Sequence, residues 1–413
     1  MKKRVLLLGL GMQGKAALHD LAKCDAVSEI VVADRLQALE DGMLQVHSPK
    51  ITGIVADARD GAHISRLMAG ADAVLDLLPS EFAYPLAELA VKTGVHLVNA
   101  SYLTDPGEED ASRLEAARER LHQLDLDAGE KGVCVLPEFG MDPGIDLILC
   151  HQAARDLDEV HELDSYGAGF PEIDAAGNPL KYKFTWSVKG VFKSYFRPAR
   201  FLRDGRVIRI PAVEMFSPHN THMLYLEELG HPLECFPNGN SARYVHALGI
   251  EKTVRTMGRY ICRWPGHGQF WDTMARCGFL GDTPLKVGES EVSPADFLAS
   301  LLGSQEQFWY AERERDVALI RADARGVKNG QRVRTVYQVI DRRDLATGFT
   351  AMARTTAFTA SIGVQMILSG MFKPGIVSHK DVPFNLFEES LSARGIKLTH
   401  TGGHWPITGD VKR

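Results

Sequence analysis

Three glycines, spaced as Gly9-Leu10-Gly11-Met12-Gln13-Gly14, directly follow an aliphatic run, Val5-Leu6-Leu7-Leu8. Glycines at this spacing can cradle a pyrophosphate. The first permits a tight turn, the second lets the backbone approach the phosphates, and the third lets helix and strand pack closely. The anion would sit at the N-terminus of the following helix, where unpaired N–H groups and the macrodipole favour negative charge. Alone the pattern is weak, so its context decides. Ile30-Val31-Val32-Ala33-Asp34 reads as a second strand ending in a carboxylate, and Asp34 lies 20 residues past Gly14. That is where an acid can bond ribose hydroxyls. The blander reading of Asp34 is a solvated strand end, but strand, glycines and acid in register favour a dinucleotide site. A carboxylate there would repel a 2′-phosphate, which favours NAD. Arg35 beside it could accommodate that phosphate, so NADP stays open.

These residues need a scaffold, and the alternation that would build it continues. Ile54-Val55-Ala56-Asp57 reads as a strand whose end brings Asp57 and Ala58 near an adenine. Ala73 to Pro79 reads as a strand and turn, with Leu78 near the nicotinamide end. Val95 to Asn99 is another strand, followed by Ala100, Ser101 and Tyr102. A charged helix from about Asp110 to Lys131 leads to Val133 to Leu136, and then to Glu138 and Asp142. Strands alternating with helices indicate an α/β fold with a doubly wound parallel sheet. Ligands collect at the carboxyl ends of such strands. Asn99, Ser101, Tyr102, Glu138 and Asp142 are therefore site candidates by topology.

At 413 residues the chain exceeds one ordinary core, so two domains are expected. A formal net charge of -6 recruits neither nucleic acid nor an anionic membrane, which leaves a small molecule as the expected partner. No apolar run approaches the roughly 18 residues of a spanning helix. Met1-Lys2-Lys3-Arg4 before an apolar stretch imitates a secretory signal, but that stretch ends after about six residues in the glycine turn. It reads as a first buried strand. Cys24, Cys134, Cys150, Cys235, Cys262 and Cys277 are scattered without a CxxC pair, which suggests reduced thiols in the cytoplasm. The histidines show no HExxH-like spacing, so no metal is expected.

Past Asp142 the pattern changes. Ser165 to Phe170 and Tyr182 to Ser187 are rich in aromatics and β-formers. Val317 to Ala322 and Arg334 to Ile340 are loosely alternating strands joined through Asn329-Gly330, a strong hairpin signal. The reading is a Rossmann domain over 1–140 and a second α+β domain over 141–350, for substrate and dimerisation, on a mixed, mostly antiparallel sheet.

Longer motifs now become recognisable. Leu136-Pro137-Glu138-Phe139-Gly140-Met141-Asp142-Pro143-Gly144-Ile145-Asp146 resembles the "DPGID" signature of the saccharopine dehydrogenase family, particularly its glutamate-forming saccharopine reductases. Asn99-Ala100-Ser101-Tyr102 resembles the family's Ser-Tyr turn, and Asn178 to Ser187 its "NPLGYKFSWS" stretch. Pro237 to Ser241 and Arg259 to His267 resemble "PNRDS" and "RGTLRYxG". The resemblance implies that the segment from about Ala351 returns to the Rossmann domain. It places Ser101, Tyr102, Asp142 and Arg263 at the substrate and Ser187 close to the cofactor. Those residue types make sense: a guanidinium suits the carboxylate of an amino acid, and a carboxylate or hydroxyl suits its ammonium. The blander readings are a surface ion pair for Arg263 and turn capping for Asp142.

Two positions depart from the family. The arginine of "PNRDS", which would hold a carboxylate of the glutamate arm, is Gly239 here; Arg243, four residues on, could replace it. The cysteine of "SYCGG" is Gly167. A glycine near 239 and the Arg-x-x-Gly-His pattern at Arg263 to His267 lean towards lysine 6-dehydrogenases of the same family. The implied chemistry is hydride exchange between nicotinamide and a carbon bearing an amine nitrogen, followed by hydrolysis of the imine. Such a site needs a proton acceptor. Asp142 is the first candidate, then Lys183, Glu138 and His267. Three readings stay open: an NAD(P)-dependent dehydrogenase of a lysine-derived amino acid, the same chemistry on lysine or a carboxylated polyamine, and a non-catalytic NAD(P)-binding sensor or scaffold. A homodimer is the default assembly.

Overall fold

The computed structural model describes residues 3–35 and 48–405. The chain divides into two units, Met1–Ile148 with Ala353–Ile396, and Leu149–Met352 with Lys397–Arg413.

The first unit is a parallel sheet in the order β3-β2-β1-β4-β5-β6, built from Ile51–Val55, Val27–Asp34, Lys3–Leu8, Ala73–Asp76, His96–Asn99 and Cys134–Leu136. This is the doubly wound order that reverses between β1 and β4, and ligands bind at that reversal. Val5, Leu6, Leu7 and Leu8 are all buried, which is why β1 reads as an unbroken aliphatic run and not an alternating one. The expected strand around Ile54 to Asp57 lies earlier, at Ile51–Val55, and Asp57 and Ala58 fall in the turn after it. It is an edge strand with half-exposed residues, so its apolar content marks its position poorly.

The segment Ala353–Ile396 belongs to this unit. Its short strand Gly375–Ile376 extends the sheet beside β6. Its helix Thr359–Leu368 lies so close to the β6 loop that a methyl on Gly363 would fall 2.7 Å from the Phe139 ring. An ion pair between buried Asp20 and half-buried Arg394 fastens the segment to the helix Met12–Lys23. Asp20 accepts from Arg394 Nε at 2.8 Å and Nη2 at 2.9 Å, and from Ser361 Oγ at 2.6 Å. Among the described residues no helix is long and apolar enough to cross a membrane.

Among the described residues the second unit holds a nine-stranded mixed sheet. At its centre β7, Glu159–Pro171, runs parallel to Thr256–Arg263 and antiparallel to Asp316–Lys328. Asp316–Lys328 pairs in turn with Gln331–Arg342 through Asn329 and Gly330, at φ 51° and 74°. Both lie in the left-handed region that a tight hairpin turn requires.

Tyr182 to Ser187 is not part of this sheet, despite its β-forming composition. Asn178 explains the difference. Its carboxamide accepts from Leu180 N and Tyr182 N and donates to Tyr182 O and Gln307 O. The backbone is thereby satisfied without a ladder. Ser187 caps the helix Val188–Tyr195, its hydroxyl accepting from Gly190 N at 3.1 Å.

Removing Asp20 would leave Arg394 without its counter-charge. Asp20→Ala should cost about 3 kcal/mol of stability, read from the urea midpoint. A loss below about 0.5 kcal/mol, typical of surface changes, would show that the clamp carries no stability.

Candidate functional site

The glycine loop is shaped for close approach. Gly9 sits at φ 92°, with its N–H donating to Ala33 O at 3.1 Å. A methyl on Gly14 would lie 2.0 Å from the Gly9 carbonyl oxygen, so helix and strand meet there only because position 14 has no side chain. Gly11 begins the helix Met12–Lys23 without a side-chain cap, and no described residue lies within 4 Å of where its Cβ would be. An uncapped helix start facing open space suits a bound phosphate. Met12 is 43% exposed at this rim, next to Gln13. Leu78 lies against Gly9.

Asp34 is bound to this loop. Its Oδ2 accepts from Leu10 N at 2.6 Å and its Oδ1 from Arg35 N at 2.7 Å. The carboxylate is thereby held at the end of β2, with lone pairs left for a ribose. Arg35 and Asp57 are exposed, and Ala58 is half-buried.

The ends of β5 and β6 are tied together. Glu138 N donates to Ser101 O at 3.2 Å and Phe139 N to Asn99 O at 2.9 Å. Asn99 Oδ1 accepts from Ser101 N at 3.2 Å, while its buried Nδ2 has no partner among the described residues. Ala100 packs against Gly140, where a methyl would fall 3.0 Å from the Ala100 Cβ. Glu138 adopts φ 55°, and its carbonyl accepts from His379 Nε2 at 2.8 Å. Beyond it Gly140 N donates to Pro143 O, and Asp146 Oδ1 accepts from Gly144 N, which folds the segment around Asp142 into a compact turn. So the first unit brings Asn99, Ala100, Ser101, Tyr102, Glu138 and Asp142 to neighbouring strand ends.

The second unit holds Arg263, which is 4% exposed. Its Nε–H donates to Tyr195 Oη at 3.2 Å and its Nη1 to the Cys262 carbonyl at 2.9 Å. Its guanidinium stacks 4.7 Å above the Tyr182 ring. Tyr195 Oη also meets His267 Nε2 at 2.9 Å, and His267 Nδ1 meets Leu180 O at 3.1 Å. A carbonyl only accepts, so Nδ1 carries the imidazole proton and Nε2 accepts from the Tyr195 hydroxyl. The tyrosine oxygen is then turned towards Arg263. Burial pushes His267 down to about 3, and the Arg263 charge adds to the effect. With both nitrogens engaged, His267 orients its neighbours and is a poor proton acceptor.

Arg263 makes no ion pair among the described residues. A buried cation left so carries a large desolvation cost that an anion would relieve. Nearby in charge terms, Tyr310 has a buried hydroxyl with no partner among the described residues, and burial raises its pKa well above the ordinary range.

Lys183 is buried and pairs with Glu314 at 2.5 Å. Acting as a base would require it to give up that pair. Arg243 lies 5.2 Å over the Tyr244 ring. Tyr195 and Tyr310 escaped the sequence reading because neither lies in a periodic pattern; contact with Arg263 alone singles out Tyr195.

Asp76, at the end of β4 beside Leu8 and Asn99, is buried, with Leu78 N as its hydrogen-bond donor at 3.0 Å. Burial pushes its carboxyl up to about 7. Such an acid holds its proton more tightly folded than unfolded, so its effect on stability is most favourable below about pH 4 and is lost as pH rises through about 7. Asp76→Asn should flatten that slope in urea melts taken across this window. An unchanged slope would mean that Asp76 titrates as an ordinary surface carboxylate.

Known proteins match both parts of the chain. The saccharopine dehydrogenase NADP binding domain matches residues 5–136. The saccharopine dehydrogenase C-terminal domain matches residues 140–396. The chain is 26% identical over 312 residues to the saccharopine dehydrogenase (NADP(+), L-glutamate-forming) of Saccharomyces cerevisiae, covering 74% of this chain and 65% of that protein. It is 26% identical over 309 residues to the mitochondrial alpha-aminoadipic semialdehyde synthase of Bos taurus, covering 73% of this chain and 31% of that one. It thus spans less than two thirds of the length of either relative. Apo saccharopine dehydrogenase (L-Glu forming) from Saccharomyces cerevisiae superposes with a TM-score of 0.77 at 20% identity, over 97% of this chain and 100% of that chain, which establishes a shared fold. With both domain matches in sequence order over most of its length, the chain belongs to the saccharopine dehydrogenase family.

Proposed function

We propose that the protein is an NAD(P)-dependent amino-acid dehydrogenase that acts on the CH–NH group of a lysine-derived substrate, with saccharopine as the first candidate. The observation that carries this reading is Arg263, a buried guanidinium without an ion pair among the described residues, held in place by Tyr195 and Tyr182. A fixed fork of this kind suits a substrate carboxylate. The curated relatives of Saccharomyces cerevisiae and Bos taurus, named for saccharopine and for aminoadipic semialdehyde, support the substrate class. A bound nicotinamide would take the hydride from the carbon bearing the amine nitrogen.

In this reading Gly9, Gly11 and Gly14 admit the pyrophosphate, and Asp34 bonds the ribose hydroxyls. Asn99, Ala100 and Leu78 line the cofactor side, and Ser101, Tyr102 and Asp142 receive the substrate's ammonium. Asp142 is the proposed proton acceptor. NAD is favoured over NADP because a carboxylate at the end of β2, where Leu10 N holds Asp34, would repel a 2′-phosphate, although the matching domain is named for NADP. A cytoplasmic setting and a homodimer complete the proposal. The six cysteines form no disulfide among the described residues, which supports a reducing compartment, and two-fold assemblies are the commonest among homo-oligomers.

The test is an absorbance assay for reduced nicotinamide, offering NAD and NADP in turn with saccharopine and with L-lysine. Turnover of saccharopine is expected; silence with both amino acids would sink the reading. Arg263→Ala should raise KM for the amino acid by roughly 2–5 kcal/mol equivalent. An effect of surface-pair size would remove Arg263 from the site. Asp34→Ala should weaken NAD by about 1–3 kcal/mol, the worth of hydrogen bonds to a charged group, and shift preference towards NADP. Unchanged affinity would refute the ribose assignment.

A further inference from the structure

Gly239 has no side chain, yet the space beside it is filled by a cation. A Cβ built on Gly239 would lie 3.3 Å from Arg197 Nη2, 3.5 Å from its Nε and 3.6 Å from its Cζ. Gly239 also sits at φ 59°, a conformation that resists any side chain. The glycine therefore makes room for a guanidinium that arrives from a distant part of the sequence.

Local structure fixes that arrival. Arg200 N donates to Gly239 O at 3.0 Å, which joins the start of the strand Ala199–Arg203 to the loop around Gly239. Arg197 stands two residues before this strand. Its Nη2 donates to Asn238 Oδ1 at 2.8 Å. Asn238 is itself buried and held by its N–H donating to Arg259 O at 2.8 Å. Arg197 is thus oriented at one corner of its fork.

One donor of that fork is unsatisfied. Arg197 Nε is buried with no hydrogen-bond partner, and Arg197 makes no ion pair among the described residues. Orienting a guanidinium while leaving its buried donor unmet costs stability, and such groups are few in folded proteins. A carboxylate arriving at Nε and a terminal nitrogen would satisfy it in the bidentate geometry that arginine favours. Arg243, the replacement considered from sequence, is stacked on Tyr244 instead.

We propose that Arg197, seated against Gly239 and held by Asn238, is a second carboxylate-binding cation of the second unit and selects a substrate with more than one carboxylate. This rests on the reading of Arg263 as the anchor for one substrate carboxylate. A substrate with a carboxylate on each arm, such as saccharopine, would then use both arginines. L-lysine, with a single carboxylate, would use one.

The experiment is calorimetric titration of saccharopine into the wild type, Arg197→Ala, Arg197→Lys and Arg263→Ala, with nucleotide affinity and melting temperature as folding controls. Arg197→Ala should weaken saccharopine roughly 30-fold or more and leave nucleotide affinity unchanged. Arg197→Lys should recover part of the loss, because charge returns but the fork does not. L-lysine affinity should not respond to Arg197→Ala. If saccharopine binds Arg197→Ala within about threefold of wild type while Arg263→Ala loses it, Arg197 is not an anchor and the reading of Arg263 survives. If Arg263→Ala is also unaffected, or the wild type does not bind saccharopine, both assignments fall. Should Arg197→Ala melt early and lose nucleotide, Arg197→Lys decides: weakened but measurable saccharopine binding with intact nucleotide affinity upholds the proposal, and wild-type affinity overturns it.

Discussion

The helix Met12–Lys23 leans on β1 at Gly14, where a methyl group would lie 2.0 Å from the carbonyl oxygen of Gly9. This approach sets the angle at which the helix leaves the sheet and brings its uncapped start to the loop. Asp34 closes the same loop from β2 by accepting from Leu10 N. Because the helix is placed this way, its far side is free to carry Asp20, and the segment Ala353–Ile396 docks there through Arg394 and Ser361. That segment in turn covers the sheet near β6, whose loop positions Glu138 and Asp142. A side chain at position 14 would disturb each of these steps in order.

The second unit depends on a different constraint, the disposal of buried charge. Arg263 is oriented by a relay in which Leu180 O fixes the His267 tautomer, His267 fixes the Tyr195 hydroxyl, and Tyr195 receives the guanidinium. No carboxylate of the described residues answers it. The aromatic ring of Tyr182 beneath the guanidinium offsets part of the cost without neutralising the charge. Such an arrangement keeps the cation rigid and leaves the neutralising group to be supplied by a ligand, which is how preorganised binding sites gain affinity.

Residue chemistry and position in the fold separate the two kinds of candidate. Lys183 and His267 are titratable groups of the right type for proton transfer, yet one is ion-paired and the other has both nitrogens engaged. Arg197 acquires meaning only from the space that Gly239 leaves. The aromatic stretch Tyr182 to Ser187 was legible as buried but not as irregular, because the Asn178 carboxamide takes over the backbone bonds that a sheet would have made.

By itself the sequence determined the parallel sheet, the glycine cradle, the acid at the end of β2 and the Asn329-Gly330 hairpin. Each depends on short-range backbone geometry or on hydrophobic periodicity, which are local properties of the chain. Long motifs fixed the family for the same reason. Tertiary structure alone decided that Arg394 answers Asp20, that Tyr195 and His267 orient Arg263, and that Arg197 fills the place beside Gly239. Those pairings join residues tens to hundreds of positions apart, and charge, hydrogen-bond direction and free space at a point are properties of the packed chain that no spacing of residues encodes.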